Sequence, residues 1–269
     1  MFRFSDYRNK NTNYCGAIFS FGAGVQSTAI MLLLKHEEER VLEAVGHLPK
    51  CAIFADTGAE LSESLENFEY WRKHSPIPLF RVKNWKTNAI NNPADMPVFL
   101  PSGGFTHRTC THKWKLQPIF KASRNLYPKQ NKNNPCAMWL GISTDEITRM
   151  KQSNEKCREN IYPLIELGLS RQDCYSIIKK YGHKANKSSC YMCPYQVKRW
   201  AENKDIDKAI AYEKELQKQL SPDGTEKAKY REVPYLHPSC EPLDIAVQKQ
   251  LAQGNLFTFD DECDGYCGL

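Results

Sequence analysis

The stretch AIFSFGAGVQSTAIMLLL, residues 17 to 34, passes from an apolar strand pattern through a small-residue loop straight into an apolar helix pattern. A strand that turns on glycine directly into a helix is how a βαβ unit opens. The loop, Ser20 to Ser27, supplies Gly22 and Gly24 where the chain must turn sharply. It also sets the hydroxyls of Ser20 and Ser27 close to the first N–H groups of the helix. That is the construction of an anion site. The spelling matches neither common phosphate loop: no Lys-Ser/Thr follows the second glycine, and the third glycine of the dinucleotide pattern is missing. A plain strand-to-helix turn is therefore the competing reading.

The alternation continues downstream. Tyr14 to Phe21 reads as strand, Ser27 to Glu38 as helix and Cys51 to Ala55 as strand, closed by Asp-Thr-Gly. Ser62 to His74 has apolar residues at helical spacing, and PLFRV from Pro78 reads as a third strand. Residues 84 to 109, rich in Asn, Pro and Gly, read as a long loop of the kind that covers a site. A helix follows at about Lys113 to Asn125, then the strand Cys136 to Ser143. Ser170 with Asp173 forms a capping box for a helix that Gly182 ends. Helices are also expected over about 197 to 220 and from Pro242 to about Gly254. The fold class is α/β, a mostly parallel, doubly wound sheet with a helical, cysteine-bearing C-terminal extension. The boundary is set at residue 150: a nucleotide-binding domain over 1–150 and an extension over 151–269 packed on it.

Composition bounds the partners. With 37 basic and 31 acidic residues the net charge is +6, which allows a phosphate-bearing ligand or RNA without demanding either. The longest apolar run, Ala29 to Leu34, is far short of a membrane span, and the polar opening residues lack the core of a signal peptide, so a cytoplasmic protein with no membrane partner is expected. Eleven cysteines, an odd number, do not read as a disulfide framework in that compartment. Cys15, Cys51, Cys136 and Cys174 sit among apolar neighbours and read as core. Cys190 and Cys193, in SSCYMCP, have the spacing of two thiolates on one metal, and Cys110, in the basic stretch HRTCTHKWK, is the third candidate. Cys157, Cys240 or a terminal cysteine remain open as a fourth.

In a parallel sheet, ligands sit outside the carboxyl ends of the strands. That rule gathers three turns at one edge: the Ser20–Ser27 loop, Asp56-Thr57-Gly58, and GISTDEITRM with Gly141, Asp145, Glu146 and Arg149. Loop capping and surface ion pairs at helical spacing are the alternative for the acidic and basic residues.

The order SFGAGVQS, FADTG, RTCTHKWKLQPI, GISTDEITRM, SSCYMCP, ECDGYCGL resembles the phosphoadenosine phosphosulfate (PAPS) reductase-like branch of the adenine-nucleotide alpha-hydrolase (PP-loop) superfamily. The resemblance implies a loop that holds the phosphates of ATP or an ATP-derived nucleotide. Here Phe21 follows the serine and Gln26 stands where that superfamily usually has Asp, which leaves open whether ATP itself is cleaved. It implies nucleotide contacts from Ser20, Gly22, Gly24, Gln26, Ser27, Asp56, Gly58, Gly141 and Arg149, with Arg108, Lys113 and Lys115 neutralising phosphates. Asp145 or Glu146 would meet magnesium or ribose if ATP is bound. It implies a four-iron four-sulfur cluster, with zinc as the alternative, on Cys110, Cys190, Cys193 and a terminal cysteine such as Cys263.

The tail resembles the segment whose cysteine attacks sulfate sulfur in such reductases, which makes Cys267 and Cys263 the catalytic candidates. The expected activity is sulfur-linked reduction or transfer on an adenosine nucleotide. Two alternatives stand: ATP-dependent thiolation of a nucleic acid, with a sulfur donor protein as partner, and a non-catalytic nucleotide- or nucleic-acid-binding protein with structural zinc. A homo-oligomer is allowed.

Overall fold

The computed structural model describes residues 7–196, 200–221 and 229–252. Its centre is a five-stranded parallel sheet built from β1 (Gly16–Ser20), β2 (Cys51–Asp56), β3 (Leu79–Lys83), β6 (Cys136–Trp139) and β7 (Arg158–Ile161), in the order β3-β2-β1-β6-β7. The chain builds outward from β1 to β3, then crosses back to lay β6 on the other side of β1. The order thus reverses between β1 and β6, and a crevice at that point is where doubly wound sheets take ligands.

Alternate residues of the strands face opposite layers. Ala17, Phe19, Phe54, Ala137 and Trp139 pack under α1 (Val25–His36), α3 (Ser62–His74) and α6 (Arg171–Lys180). Ile18, Ile53, Cys136 and Met138 face the other way, toward Ile119 of α4 (Gln117–Leu126) and Ile165 of α5 (Pro163–Glu166). Two-sided burial explains why β2 reads CAIFAD with all six residues buried. A short α2 (Glu38–Val45) follows α1 and closes at Gly46 with φ +82°.

A second core lies off the sheet. Ala89, Met96, Val98 and Trp114, from the loop after β3, pack with Met192, Trp200 and residues of α7 (Ile206–Leu220) and α8 (Leu243–Ala252). Within it the buried Glu213 carboxylate accepts from Leu236 N at 2.8 Å and Leu243 N at 2.6 Å, so the backbone donors near it are satisfied. A hairpin of β4 (Phe99–Leu100) and β5 (Gly104–Phe105) closes the covering loop.

The boundary at residue 150 cuts through this architecture. β7 is the fifth strand of the sheet, paired Cys136↔Arg158 to Trp139↔Ile161, and α6 lies beside α1. The extension proper begins after α6. The helix expected from about 197 begins, in the described residues, at Ile206 after a short turn at Trp200–Glu202. Among the described residues no helix is long and apolar enough to cross a membrane.

Candidate anion loop at the sheet switch point

β1 ends at Ser20, and α1 begins at Val25 with Gly24 as its N-cap. Between them Ala23 takes φ +56°, a left-handed conformation that costs a residue with a Cβ about 1 kcal/mol. The Ser27 hydroxyl folds back on the Gly24 backbone, 3.0 Å from its N and 3.1 Å from its O, and fixes the entry to the helix. The first N–H groups of an α-helix have no acceptor inside it, and the helix dipole adds positive charge there.

The end of β6 approaches this helix terminus without a side chain. A Cβ at Gly141 would stand 3.2 Å from Ser27 N and 3.4 Å from the Gln26 Cβ, covering the first-turn N–H groups. Gly24 has a different neighbour. A Cβ there would meet the Ser188 hydroxyl at 2.7 Å, and Ser188 also lies 3.7 Å from the same construction at Gly22. The segment after α6 therefore lies across the loop as a strap, and the small residues of the loop serve that contact as well as any ligand. Ser189 O accepts from Leu61 N at 3.0 Å and Tyr191 N donates to Ala59 O at 2.8 Å, which anchors the strap on the turn after β2.

Flanking the loop, Glu146 is buried and accepts from Gln26 Nε2 at 3.0 Å and Arg149 Nη1 at 2.7 Å, and it also pairs with Arg171. Two guanidiniums, Arg149 and Arg171, thus share one carboxylate at the turn after β6. Arg149 is held in an ion pair with Glu146, which is the alternative reading of this turn. Glu146 is occupied by these three donors, and Asp145 Oδ1 accepts from Arg171 N at 2.7 Å, so both carboxylates have structural partners where magnesium or ribose contacts were expected.

On the β2 side, Asp56 accepts from Gly58 N at 2.7 Å and from Arg81 Nη2 at 2.9 Å, with Lys83 Nζ at 3.9 Å. Gly58, at φ +82°, faces Ile90 and Lys83. Asp56 shapes its turn and holds two cations at the sheet edge.

Of the cations assigned to phosphate, Lys113 is bonded to Asp95 at 2.5 Å. Although burial opposes it, Lys113, Thr87 and Thr109 together hold the Asp95 carboxyl below its usual range. Lys115 Nζ lies 3.7 Å from Glu60 Oε1, and the Arg108 guanidinium stands 5.2 Å over the Tyr195 ring. Lys113 and Lys115 thus face buried carboxylates, Asp95 of the covering loop and Glu60 of the turn after β2, while Arg108 stands over a ring of the segment after Cys193. Arg81, Lys83, Arg171, Ser188 and Asn67 are the additions to the site. Arg81 and Lys83 were readable, since they alternate at the carboxyl end of a strand that points at the site.

The cysteines resolve unevenly. Cys51, Cys136 and Cys174 are buried, and burial pushes their thiols up to about 11, 12 and 12. Cys190 and Cys110 join the same cluster beside the covering loop. The Cys190 sulfur lies 3.3 Å from Thr57 Oγ1, which in turn donates to Glu60 at 2.9 Å, and desolvation raises both the Cys190 thiol and the Glu60 carboxyl. Among the described residues no three His, Cys, Asp or Glu side chains are placed to hold a metal ion together. The trio Cys110, Cys190 and Cys193 does not by itself make the expected centre in these residues. Cys263 and Cys267 lie outside the described residues.

No protein-family profile matches the chain, and no curated protein sequence matches it. Among solved structures, the chain is similar to phosphoadenylyl-sulfate (PAPS) reductase from Candida auris in a phosphate complex. The match is 12% identical and covers 64% of this chain and 75% of that one, at a TM-score of 0.42, a level of likeness that carries no argument about the site.

Proposed function

We propose that the protein is an enzyme that binds an adenosine nucleotide by its phosphate or phosphosulfate at the Ser20–Ser27 loop and carries out sulfur-linked chemistry on it. The observation that carries the reading is Gly141: at the strand-order reversal, the end of β6 closes on the N-terminus of α1 and withholds a side chain from its first N–H groups. Oriented N–H groups and the dipole favour an anion there.

In the reaction favoured by the motif order, a cysteine thiolate attacks the sulfur of PAPS. The S–O bond to the phosphate breaks, and 3′-phosphoadenosine 5′-phosphate leaves with the electron pair. The product on the protein is an S-sulfocysteine, which a protein dithiol reduces to release sulfite. Cys267 and Cys263 are the candidate thiols. The loop N–H groups, Arg149 and Arg171 would steady the charge that grows on the leaving phosphate.

The test is calorimetric titration of the protein with PAPS, ATP and adenosine. PAPS is expected to bind, and Gly141→Ala and Arg149→Ala are each expected to weaken it about tenfold while leaving adenosine unchanged. Binding of ATP with pyrophosphate release would move the assignment to adenylation chemistry, and no binding of either phosphorylated ligand would end the reading.

A further inference from the structure

We infer that Asn67 is a positioning residue for the anion loop, oriented by His183. The inference rests on the reading that this loop is a ligand site, but its structural half stands apart from the ligand.

Asn67 is buried on α3, one layer behind the loop. Its Nδ2 donates to Ala23 O at 2.9 Å and to Thr28 Oγ1 at 2.8 Å. Ala23 is the left-handed residue of the loop, and Thr28, fully buried, is in the first turn of α1. One amide group therefore spans the loop from its strained residue to the helix it feeds. Ala23 O can only accept, so the nitrogen of the amide must face it, and Oδ1 must face His183 Nε2, 3.0 Å away. The His183 nitrogen then carries the proton. His183 is itself fixed against Tyr70 and Trp71, with ring centroids 4.5 and 5.3 Å away.

A carbonyl turned by a left-handed residue has no helix or strand to hold it, and the Cβ of Ala23 favours release of the strain. The bond from Asn67 opposes that release. The same side chain decides where the N–H groups that follow Ala23 point, which is what an anion would read. His183 also opens the strap that ends on Gly24 at Ser188, so its contact with Asn67 joins the wall of the site to its floor.

A merely structural asparagine and a loop-positioning one differ in a measurable way. If Asn67 restrains Ala23, then Ala23→Gly, which removes the conformational cost, should make Asn67 less necessary. Hydrogen exchange of the free protein reads this without any ligand. In Asn67→Ala, the Gly24 and Thr28 amides, which have acceptors in Ser27 Oγ and Gly24 O, are expected to exchange about tenfold faster than in the parent, with β7 unaffected. In the Ala23→Gly background the same substitution should accelerate them by no more than about threefold.

Should Asn67→Ala fail to fold, His183→Ala carries the same measurement, with His183→Gln, which keeps an N–H donor, restoring protection. Loop exchange at the parental rate in both variants, or equal acceleration with and without Ala23→Gly, would overturn the inference. Titration with PAPS supplies the second arm. About tenfold weaker binding in Asn67→Ala, recovered in the double variant, supports the role in binding. A loop that responds in exchange while the parent protein binds neither PAPS nor ATP rejects the functional reading and leaves the positioning role standing.

Discussion

Gln26, in the first turn of α1, donates its side-chain amide to Glu146 across 3.0 Å, and so joins the loop after β1 to the turn after β6 on either side of the strand-order reversal. Glu146 is 2% exposed and also holds Arg149 and Arg171. Removing it takes a buried carboxylate from two mostly buried guanidiniums, whereas removing Gln26 loses one hydrogen bond. Glu146→Ala should lower stability by about 2–4 kcal/mol and Gln26→Ala by about 1 kcal/mol, read from urea midpoints. Equal losses would show that the carboxylate is not the hub.

Gly24→Ala should displace the strap, because the new methyl would meet the Ser188 hydroxyl at 2.7 Å and its Cβ at 3.3 Å. Overpacking of this kind costs about 1–3 kcal/mol. Adding Ser188→Gly removes both of those atoms and should recover about half of the loss, leaving only the Ser188 backbone N, at 3.1 Å, to adjust. Strict additivity of the two substitutions in thermal unfolding would show that the strap does not rest on Gly24.

Cys51, Cys136 and Cys174 should resist iodoacetamide at pH 8 in the folded protein, since burial both blocks access and keeps the thiols protonated, at about 11, 12 and 12. Cys157 and Cys240 are only half-buried and should be labelled before those three. Peptide mapping by mass spectrometry before and after unfolding in urea checks both statements. Early labelling of Cys136 would mean that the sheet opens locally at β6.

Local signals carried the sheet and missed what packs across it. β1, β2 and β6 are apolar runs because both of their faces are covered, and the Ser170–Asp173 capping box formed as written, with Ser170 Oγ accepting from Asp173 N. β7 was not legible. Its four residues, Arg-Glu-Asn-Ile, are mostly polar, yet Arg158 is buried with its guanidinium 3.9 Å over the Phe120 ring and Ile161 is fully buried. A charged residue that hides by stacking on a ring gives no apolar pattern to find. The site divides in the same way. Ser20 to Ser27, Asp56 and Gly141 follow from where strands end, whereas Ser188 and Asn67 enter through a strap and a helix whose placement depends on tertiary packing. The partners of Lys113 and Lys115 are likewise set by which buried carboxylates the covering loop brings near, and spacing along the chain does not record that.

His47 should make stability fall on mild acidification. The Trp139 indole N–H donates to His47 Nε2 at 3.2 Å, so that nitrogen is unprotonated in the folded protein. Burial, reinforced by the Arg8 charge, lowers the imidazole from 6.5 to about 4. Above pH 6.5 the ring is neutral whether folded or not, and its contribution is fully present. Between pH 6.5 and 4 the unfolded chain takes up a proton that the folded one refuses, so stability drops as pH falls, and below about 4 the loss is complete. The total should be about 1–3 kcal/mol. Glu37, held near 2 by bonds from Lys180, Tyr181 and Arg40, gives its own loss as pH falls from about 4.5 to 2. Desolvation lowers His183 and His237 as well, so the share of His47 is the difference in slope between the parent and a His47 variant. Urea unfolding from about pH 7 to 5 should show a downward slope in the parent that is shallower in His47→Gln, which can still accept from Trp139. The same slope in both proteins would place the proton uptake on another group.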